Sequence, residues 1–252
     1  MTKQEKLEYI NKELGINFKS LNEIDWGYLS WNLKLSENFI RKFANKVYWG
    51  CISCKQKLSE PFIREFANKV DWVYISDSQK LSEEFIREFQ DKIDFYNISS
   101  SQTLSEDFIR EFQDDVDWCD ISIYQKLSEK FIREFQNELE WDCISSSQTL
   151  SEDFIREFKD KVNWNNISLH QKLSEKFIRE FQDYVDWECI SSSQTLSEDF
   201  IREFQDKVDW YCISKYHNLS KDFLREFKHR IDWSTYLNRE DILDMVIDKL
   251  IN

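Results

Sequence analysis

The chain has 252 residues, a formal charge of −14, three glycines, one proline and an aromatic content of 16 %. So few glycines leave little material for phosphate-binding loops or tight β-turns, and the negative charge argues against direct binding of DNA or RNA. Ten tryptophans and twenty phenylalanines also exclude an intrinsically disordered chain, which would lack such apolar side chains.

The first predicted element is an amphipathic helix within residues 1–15, a segment that we expect to cap the fold. Thr2 and Glu5 have the spacing of a capping box, apolar residues follow at helical spacing, and Gly15 can end the helix. The segment lacks a basic and then apolar signal pattern, and no apolar run in the chain approaches the ~18 residues of a membrane span. We therefore expect a soluble, cytoplasmic protein that does not associate with a membrane.

Residues 16–237 are predicted to form a repeat array, because leucine opens a similar segment every 23 residues without any insertion. The consensus repeat reads LSEDFIREFQDKVDWxCISSSQT, and repeat positions are counted from its leucine. A degenerate first repeat is identified by Asp25-Trp26, which match Asp71-Trp72. The repeats begin near residues 12, 35, 58, 81, 104, 127, 150, 173, 196 and 219.

Each repeat is predicted to begin with a helix, named helix A, over about positions three to twelve. Ser105 precedes acidic residues, which is typical of an N-cap followed by carboxylates that favour the positive end of the helix dipole. Phe108 and Phe112 are four residues apart and therefore share one helical face. Glu106 lies four residues before Arg110, which is the favourable order for an ion pair on a helix.

A shorter helix of one and a half to two turns, named helix B, is predicted to follow, with Asp117 as its cap and a polar Ser-Ser-Gln-Thr linker after it. Its first residue is tryptophan in nearly every repeat and Phe95 in one, which indicates a core side chain rather than a stacking platform for bases. One repeat alone does not bury its apolar side chains, but stacked repeats do. The sequence therefore predicts an all-α fold, an α-solenoid of about ten two-helix repeats with terminal capping helices.

A final capping helix is predicted over residues 238–252. Asn238 can serve as its N-cap, and Ile242, Met245 and Val246 would share one face. The predicted organisation is thus an N-terminal capping helix at 1–15, the repeat array at 16–237 and a C-terminal capping helix at 238–252.

The repeats alternate between two variants, QTLSEDF and QKLSEKF, so that a second period of 46 residues runs through the array. The first variant opens at Gln102, Gln148 and Gln194, and the second at Gln125 and Gln171. Duplication of a two-repeat block explains this period, and different contacts of odd and even repeats are the alternative.

The repeat LSExFIREFxDKVDW…IS resembles the tandem repeats in proteins of giant DNA viruses, the relatives of mimivirus. The resemblance covers nearly the whole chain. It implies a viral protein that acts inside the infected host cell, with the virion as the alternative location. It implies no activity and no catalytic residue.

The cysteines and histidines do not indicate a catalytic or metal centre. Cys51 and Cys54 form a C-x-x-C pair, but no second pair follows with the spacing of a zinc site. Most cysteines share position 17, which is typical of a small, partly buried residue, with exposed thiols at Cys189 and Cys212 as the alternative. Three histidines are expected on the surface: His170, His217 and His229. We therefore expect no enzyme activity, no metal and no cofactor.

The exposed part of helix B and the following linker are predicted to bind a partner. Helix A barely varies between repeats, whereas positions 16, 17, 20 and 21 vary most. Variable surface positions of a solenoid commonly form its binding face, and relaxed constraint is the alternative explanation. The candidate partner-binding residues are Tyr96, Ile123, Tyr124, Leu169, His170, Tyr211 and Tyr216.

The predicted function is a non-enzymatic scaffold that binds a host protein through this variable strip. The alternative is an acidic inhibitor whose carboxylates imitate nucleic-acid phosphates and occupy a basic groove on a host defence or transcription protein. An enzyme is the third hypothesis, and it requires a polar cluster that occurs once and does not repeat.

Overall fold

The computed structural model describes residues 1–239, and every regular element within them is a helix. The chain forms two compact units, Met1–Gln125 and a second unit that begins at Lys126. Each unit is a stack of 23-residue repeats, so the predicted all-α solenoid class is confirmed. The predicted helix over residues 238–252, with Ile242, Met245 and Val246, lies outside the described residues apart from its first two positions.

The first unit opens with helix α1, Lys3–Leu14, and a short 3-10 helix, Leu21–Glu23. The predicted capping box is present, because the Glu5 amide donates to Thr2 Oγ1 at 3.2 Å and the Thr2 amide donates to Glu5 Oε2 at 2.8 Å. Gly15 ends α1 in the left-handed conformation, with φ at 65°, which glycine adopts without steric strain.

The repeats of the first unit alternate between six-residue A helices and seven-residue B helices. The A helices are α3 (Glu37–Lys42), α5 (Glu60–Glu65), α7 (Glu83–Glu88) and α9 (Glu106–Glu111). The B helices are α2 (Trp26–Asn32), α4 (Trp49–Lys55), α6 (Trp72–Ser78), α8 (Phe95–Ser101) and α10 (Trp118–Tyr124). Successive B helices pack directly on each other.

The second unit follows the same plan. Its A helices are α11 (Glu129–Glu134), α13 (Glu152–Glu157), α15 (Glu175–Glu180), α17 (Glu198–Glu203) and α19 (Lys221–Glu226). Its B helices are α12 (Trp141–Ser147), α14 (Trp164–His170), α16 (Trp187–Ser193), α18 (Trp210–Tyr216) and the five-residue α20 (Trp233–Leu237). Successive B helices of this unit also pack directly on each other.

Helix A has the predicted N-cap but is shorter than predicted. In α9 the Ser105 hydroxyl accepts a hydrogen bond from the Phe108 amide at 3.2 Å. The helix ends at position eight rather than twelve, because Phe112 leaves the helical region and the Asp115 amide bonds to the Phe112 carbonyl at 3.0 Å, three residues back. This tight turn places the Phe112 ring 4.6 Å from the Phe108 ring and 5.1 Å from the Phe95 ring of the preceding repeat.

Helix B has the predicted two turns and the predicted cap, since the Asp117 carboxylate accepts from the Asp120 amide at 2.9 Å. The prediction of a polar Ser-Ser-Gln-Thr linker is wrong. Helix α12 continues through the first two linker positions to Ser147, and the linker residue Gln148 at position 22 is buried.

The most buried part of the core in each unit is formed by phenylalanine at position 5 and, in most repeats, by isoleucine at positions 6 and 18, with exposures near 0 %. We name the nine tryptophans at position 15 the ladder tryptophans. The prediction that they belong to this core is only partly right, because eight of them are half-buried and the ninth, Trp233, is exposed. The Trp164 ring, for example, packs at 5.0 Å from Phe181 of the next repeat. Its indole N–H donates to the Lys159 carbonyl at 2.9 Å, which keeps the polar edge at the surface.

Candidate interaction surface

Within each unit, a buried glutamine at position 22 connects a repeat to the preceding one. Gln79 Oε1 accepts from the Leu58 amide at 2.9 Å, and its Nε2 donates to the carbonyls of Ser53 and Gln56, both at 2.8 Å. The same three bonds recur at Gln56, Gln102, Gln125, Gln171 and Gln194. We name this series the glutamine ladder. It satisfies buried backbone groups that would otherwise each destabilise the fold.

A buried serine at position 19 makes a second connection between repeats. The Ser99 hydroxyl donates to the Phe95 carbonyl at 2.7 Å and accepts from the Asp117 amide of the next repeat at 2.9 Å. In the second unit, Ser145 makes the same two bonds with Trp141 and Asn163. One face of helix B carries the isoleucine and the serine, and together with the glutamine that follows the helix it holds the stack together. We name it the inner face.

The charged groups of helix A are also largely used between repeats. Arg87 pairs with Glu111 of the next repeat at 2.7 Å and with Glu83 of its own repeat at 3.5 Å, as the predicted spacing of four residues requires. Its guanidinium also lies 5.0 Å from the Phe108 ring centroid. The same pattern recurs in the second unit around Arg179. These exposed pairs stabilise modestly, and each arginine offsets part of the charge of the two glutamates that it contacts.

The opposite side of helix B, formed by positions 16, 17, 20 and 21, is named the outer face. In the first unit, the candidate residues Tyr96 and Tyr124 project from it with exposures of 64 % and 60 %, and Ile123 is half-buried. In the second unit, Leu169, Tyr211 and Tyr216 are exposed, and so is His170. Lys215 Nζ lies 5.0 Å from the centroid of the Tyr216 ring.

Sequence reasoning missed the aromatic residues of the first repeats. Tyr28, Tyr48 and Tyr74 are exposed by 57 %, 59 % and 43 %. Two of the three glycines of the chain, Gly27 and Gly50, lie at position 16 next to such rings. A Cβ atom added at Gly27 would lie 3.8 Å from Tyr48 Cε2, and one added at Gly50 would lie 3.9 Å from Tyr74 Cε2. Tyr28 and Tyr74 share position 17, so the variability of that position was the available signal.

The two cysteines considered as exposed thiols are not exposed. Cys212 is buried and Cys189 is half-buried, whereas Cys119 at position 16 is the exposed one. Burial, together with the Asp186 carboxylate, raises the pKa of the Cys189 thiol to about 11. Burial and Asp209 have the same effect on Cys212, whose pKa is also raised to about 11, so both sulfurs stay protonated and weakly nucleophilic.

The prediction of surface histidines is right for His170 and His229 and wrong for His217. His217 occupies the glutamine position of its repeat, is buried, and its Nε2 lies 2.8 Å from the Ser191 carbonyl. Burial lowers the pKa of this imidazole, so it is held neutral inside the stack. The sequence signal was the repeat position, since glutamine occupies it in the seven preceding repeats.

Within residues 1–239, no group of three or more His, Cys, Asp or Glu side chains is arranged to hold a metal ion. In the same part of the chain, none of the helices has the length and apolar character needed to cross a bilayer. No protein-family model, no curated protein and no solved structure matches the chain.

Proposed function

We propose that the protein is a non-catalytic scaffold that binds a protein partner through the outer face of its B helices. The observation that supports this most is the difference between the two faces of the same helix. The inner face repeats and is fully used in packing and hydrogen bonds, whereas the outer face varies and carries exposed tyrosines. Exposed tyrosines contribute large contact area and a polar hydroxyl at a low cost in side-chain entropy, which is why they are common in binding sites.

The chemistry of the outer face favours a partner with apolar and hydrogen-bonding surface rather than a strongly charged one. In the first unit this face is rich in tyrosine, including Tyr28, Tyr74 and Tyr96. In the second unit, the Lys215 ammonium group lies over the rings of both Tyr211 and Tyr216 in cation–π contacts. Given the resemblance of the repeat to those of giant-virus proteins, we place the partner in the host cell.

The acidic-inhibitor alternative has less support. Such a protein needs free rows of carboxylates that replace phosphates, but the glutamates at positions 3 and 8 are paired with arginine in both units. The aspartates that stay exposed at position 4 also contact arginine, as Asp153 does with Arg156 at 2.8 Å. Salt dependence separates the two proposals, because phosphate mimicry weakens steeply with ionic strength and tyrosine contacts do not.

The experiment is capture of proteins from a host lysate on the full chain and on three variants, with elution in steps of increasing salt. Two variants change the outer face, Tyr96→Ser with Tyr124→Ser in the first unit and Tyr211→Ser with Tyr216→Ser in the second. Tyr184→Ser is the matched control, because Tyr184 is exposed by 47 % but lies at position 12, away from the outer face.

We expect a partner that persists to high salt and is lost with one outer-face variant but retained by the Tyr184→Ser protein. Equal retention by all four proteins would contradict the outer face as the binding site. A partner that elutes at moderate salt from all four would instead favour the acidic inhibitor.

A further inference from the structure

The first unit contains a cavity of about 700 Å³ between α1, the 3-10 helix and the turn that follows α3. This volume is in the range of small-molecule sites. Its wall differs from the rest of this acidic protein, since it includes five lysines and an arginine and no aspartate or glutamate. The lysines are Lys3, Lys6, Lys19, Lys42 and Lys46.

The ammonium groups of these lysines are not in direct contact with carboxylates of the first unit. Across residues 1–239, none of the five forms an ion pair, and Lys42 instead places its Nζ 3.6 Å from the centroid of the Tyr9 ring. Arg41 also lines the cavity but is already paired with Glu65 and Glu37. The Glu23 carboxylate contacts the backbone of Lys19 rather than its ammonium group, since it accepts a hydrogen bond from the Lys19 amide. Five unpaired ammonium groups around one cavity attract a ligand with several negative charges.

Trp26 gives the cavity an apolar wall with an unused donor. Its ring lies 5.2 Å from that of Phe43, which also lines the cavity. The other eight ladder tryptophans donate their indole N–H to a backbone carbonyl five residues earlier. The Trp26 indole makes no such bond within the described chain. Every fully buried side-chain nitrogen in this part of the chain has a hydrogen-bond partner, so the unpartnered N–H of Trp26 is not fully buried and is accessible to solvent.

Within the part of the chain that the structure describes, the lysine at position 12 of the following repeat, Lys46, also lacks a contact with Trp26 that the corresponding lysines of later repeats make with their tryptophans. Lys92, Lys161 and Lys207, all at position 12, lie 5.7, 5.6 and 5.7 Å from the ring centroid of the preceding tryptophan. Lys46 has the same position but makes no such contact with Trp26 within the described residues, and it lines the cavity instead. The first repeat therefore leaves both an aromatic ring and an ammonium group open to a ligand.

We propose that this cavity binds a nucleoside triphosphate. The phosphates would pair with the lysines, and the base would lie against the apolar wall formed by Trp26, Phe43 and Leu21, near the free indole N–H. Both parts of the ligand are needed, because lysines alone would bind any polyanion and the apolar wall alone would not select charge.

The test is calorimetric titration of the full chain with ATP, inorganic tripolyphosphate and adenosine in turn. We expect ATP to bind at least about tenfold more tightly than either of its parts, and to bind more weakly as salt rises from about 50 to 200 mM. Absence of ATP binding up to about 1 mM overturns the proposal. Equal affinities for ATP and tripolyphosphate overturn its nucleotide part.

Two changes locate the site. The double variant Lys6→Gln with Lys46→Gln should weaken ATP binding at least about tenfold, since it removes two exposed ammonium groups from the wall. Lys161→Gln is the matched control, because Lys161 has the same repeat position as Lys46 but lies in the second unit, and this variant should bind ATP like the parent protein. If ATP binds the double variant and the parent equally, the ligand is elsewhere and the proposal is wrong.

Discussion

The inner and outer faces of helix B belong to the same seven-residue helix, but their residues have different environments and contacts. On the inner face, Ile121 and its neighbour Ser122 are fully buried and are followed by the ladder residue Gln125. On the outer face of the same helix, Tyr124 is exposed by 60 %. The comparison teaches that a polar residue in a repeat is not necessarily exposed to solvent. Buried serine and glutamine form the connections between repeats, whereas tyrosine, which is often buried in proteins, lies exposed on the outer face at positions such as that of Tyr124.

The largest expected effect comes from breaking the glutamine ladder. Gln102→Leu has similar bulk but leaves the Leu81 amide and the Gln79 carbonyl without partners, and it removes one of the two hydrogen bonds that the Ser76 carbonyl accepts, the other coming from the Ser101 hydroxyl. Since each unpaired buried group costs about 1–3 kcal/mol, we expect a loss of about 3–5 kcal/mol in the free energy of unfolding, measured with urea. Gln113→Leu, at an exposed position, is the control and should change stability by less than about 0.5 kcal/mol. Equal losses in the two variants would show that the hydrogen bonds of the glutamine ladder do not contribute specifically to the free energy of unfolding.

Truncation of a ladder tryptophan should have a smaller effect. Trp164→Ala removes ring contacts with Phe177 and Phe181 and the bond to the Lys159 carbonyl. Because the ring is half-buried, we expect a loss of about 2–3 kcal/mol, below the range for fully buried aromatic side chains. A loss under about 1 kcal/mol would mean that the ring contributes little packing.

A third change repairs the ladder. The side chain of His217 makes one hydrogen bond, to the Ser191 carbonyl. Within residues 1–239, the Leu196 amide and the Gln194 carbonyl lack the partners that glutamine supplies in the earlier repeats. His217→Gln should therefore raise the free energy of unfolding by about 1 kcal/mol at pH 7.5.

The same variant should change the pH dependence of stability. Burial, and secondarily the charge of Arg239, lowers the pKa of His217 below that of an unfolded histidine, about 6.5. Below that pH the unfolded chain binds the proton first, so the parent protein loses stability as pH falls, and the glutamine variant loses less. Urea midpoints at pH 7.5 and 5.0 measure the difference, and His170→Gln, at an exposed position, should leave it unchanged. An identical pH dependence in the parent and the His217→Gln protein would contradict a buried neutral imidazole.

The smallest expected effect belongs to the outer face. Tyr96→Ser combined with Tyr124→Ser should change the free energy of unfolding by less than about 0.5 kcal/mol, because both rings are mostly exposed. A loss above about 1.5 kcal/mol would show that these rings are part of the packing, and the outer face would no longer qualify as a free surface.

Much of the fold was predictable because it repeats. The period, the serine and aspartate caps and the apolar spacing were sufficient to predict two helices per repeat. The end of helix A was missed because Phe112 leaves the helix to pack on Phe95 of the preceding repeat, a tertiary contact that local spacing does not contain. The burial of Gln148 was not predictable, because the amide from which it accepts a hydrogen bond, that of Leu127, lies 21 residues earlier in the sequence. The bond between Ser145 and the Asn163 amide of the next repeat is likewise a contact that local spacing does not contain.

The surface was predictable in part. Variation between repeats indicated the positions of Tyr124 and Tyr211, and the structure places both in the solvent. The cavity in the first unit was not predictable, because its lysines come from α1, from the segment before the 3-10 helix and from the end of α3 and the turn that follows it. Those elements lie far apart in the sequence and meet only in the folded unit.

Amide hydrogen exchange of the position 1 leucines tests the central claim most directly. The amides of Leu150 and Leu173 donate to ladder glutamines, both at 3.0 Å, whereas the Leu196 amide has no such partner among the described residues. Their side chains are equally buried, at 7 %, 8 % and 8 %, so burial alone would give equal protection. We expect Leu150 and Leu173 to exchange about as slowly as the core and Leu196 to exchange clearly faster. Equal exchange at all three leucines would contradict the claim that the glutamine ladder holds the repeats together.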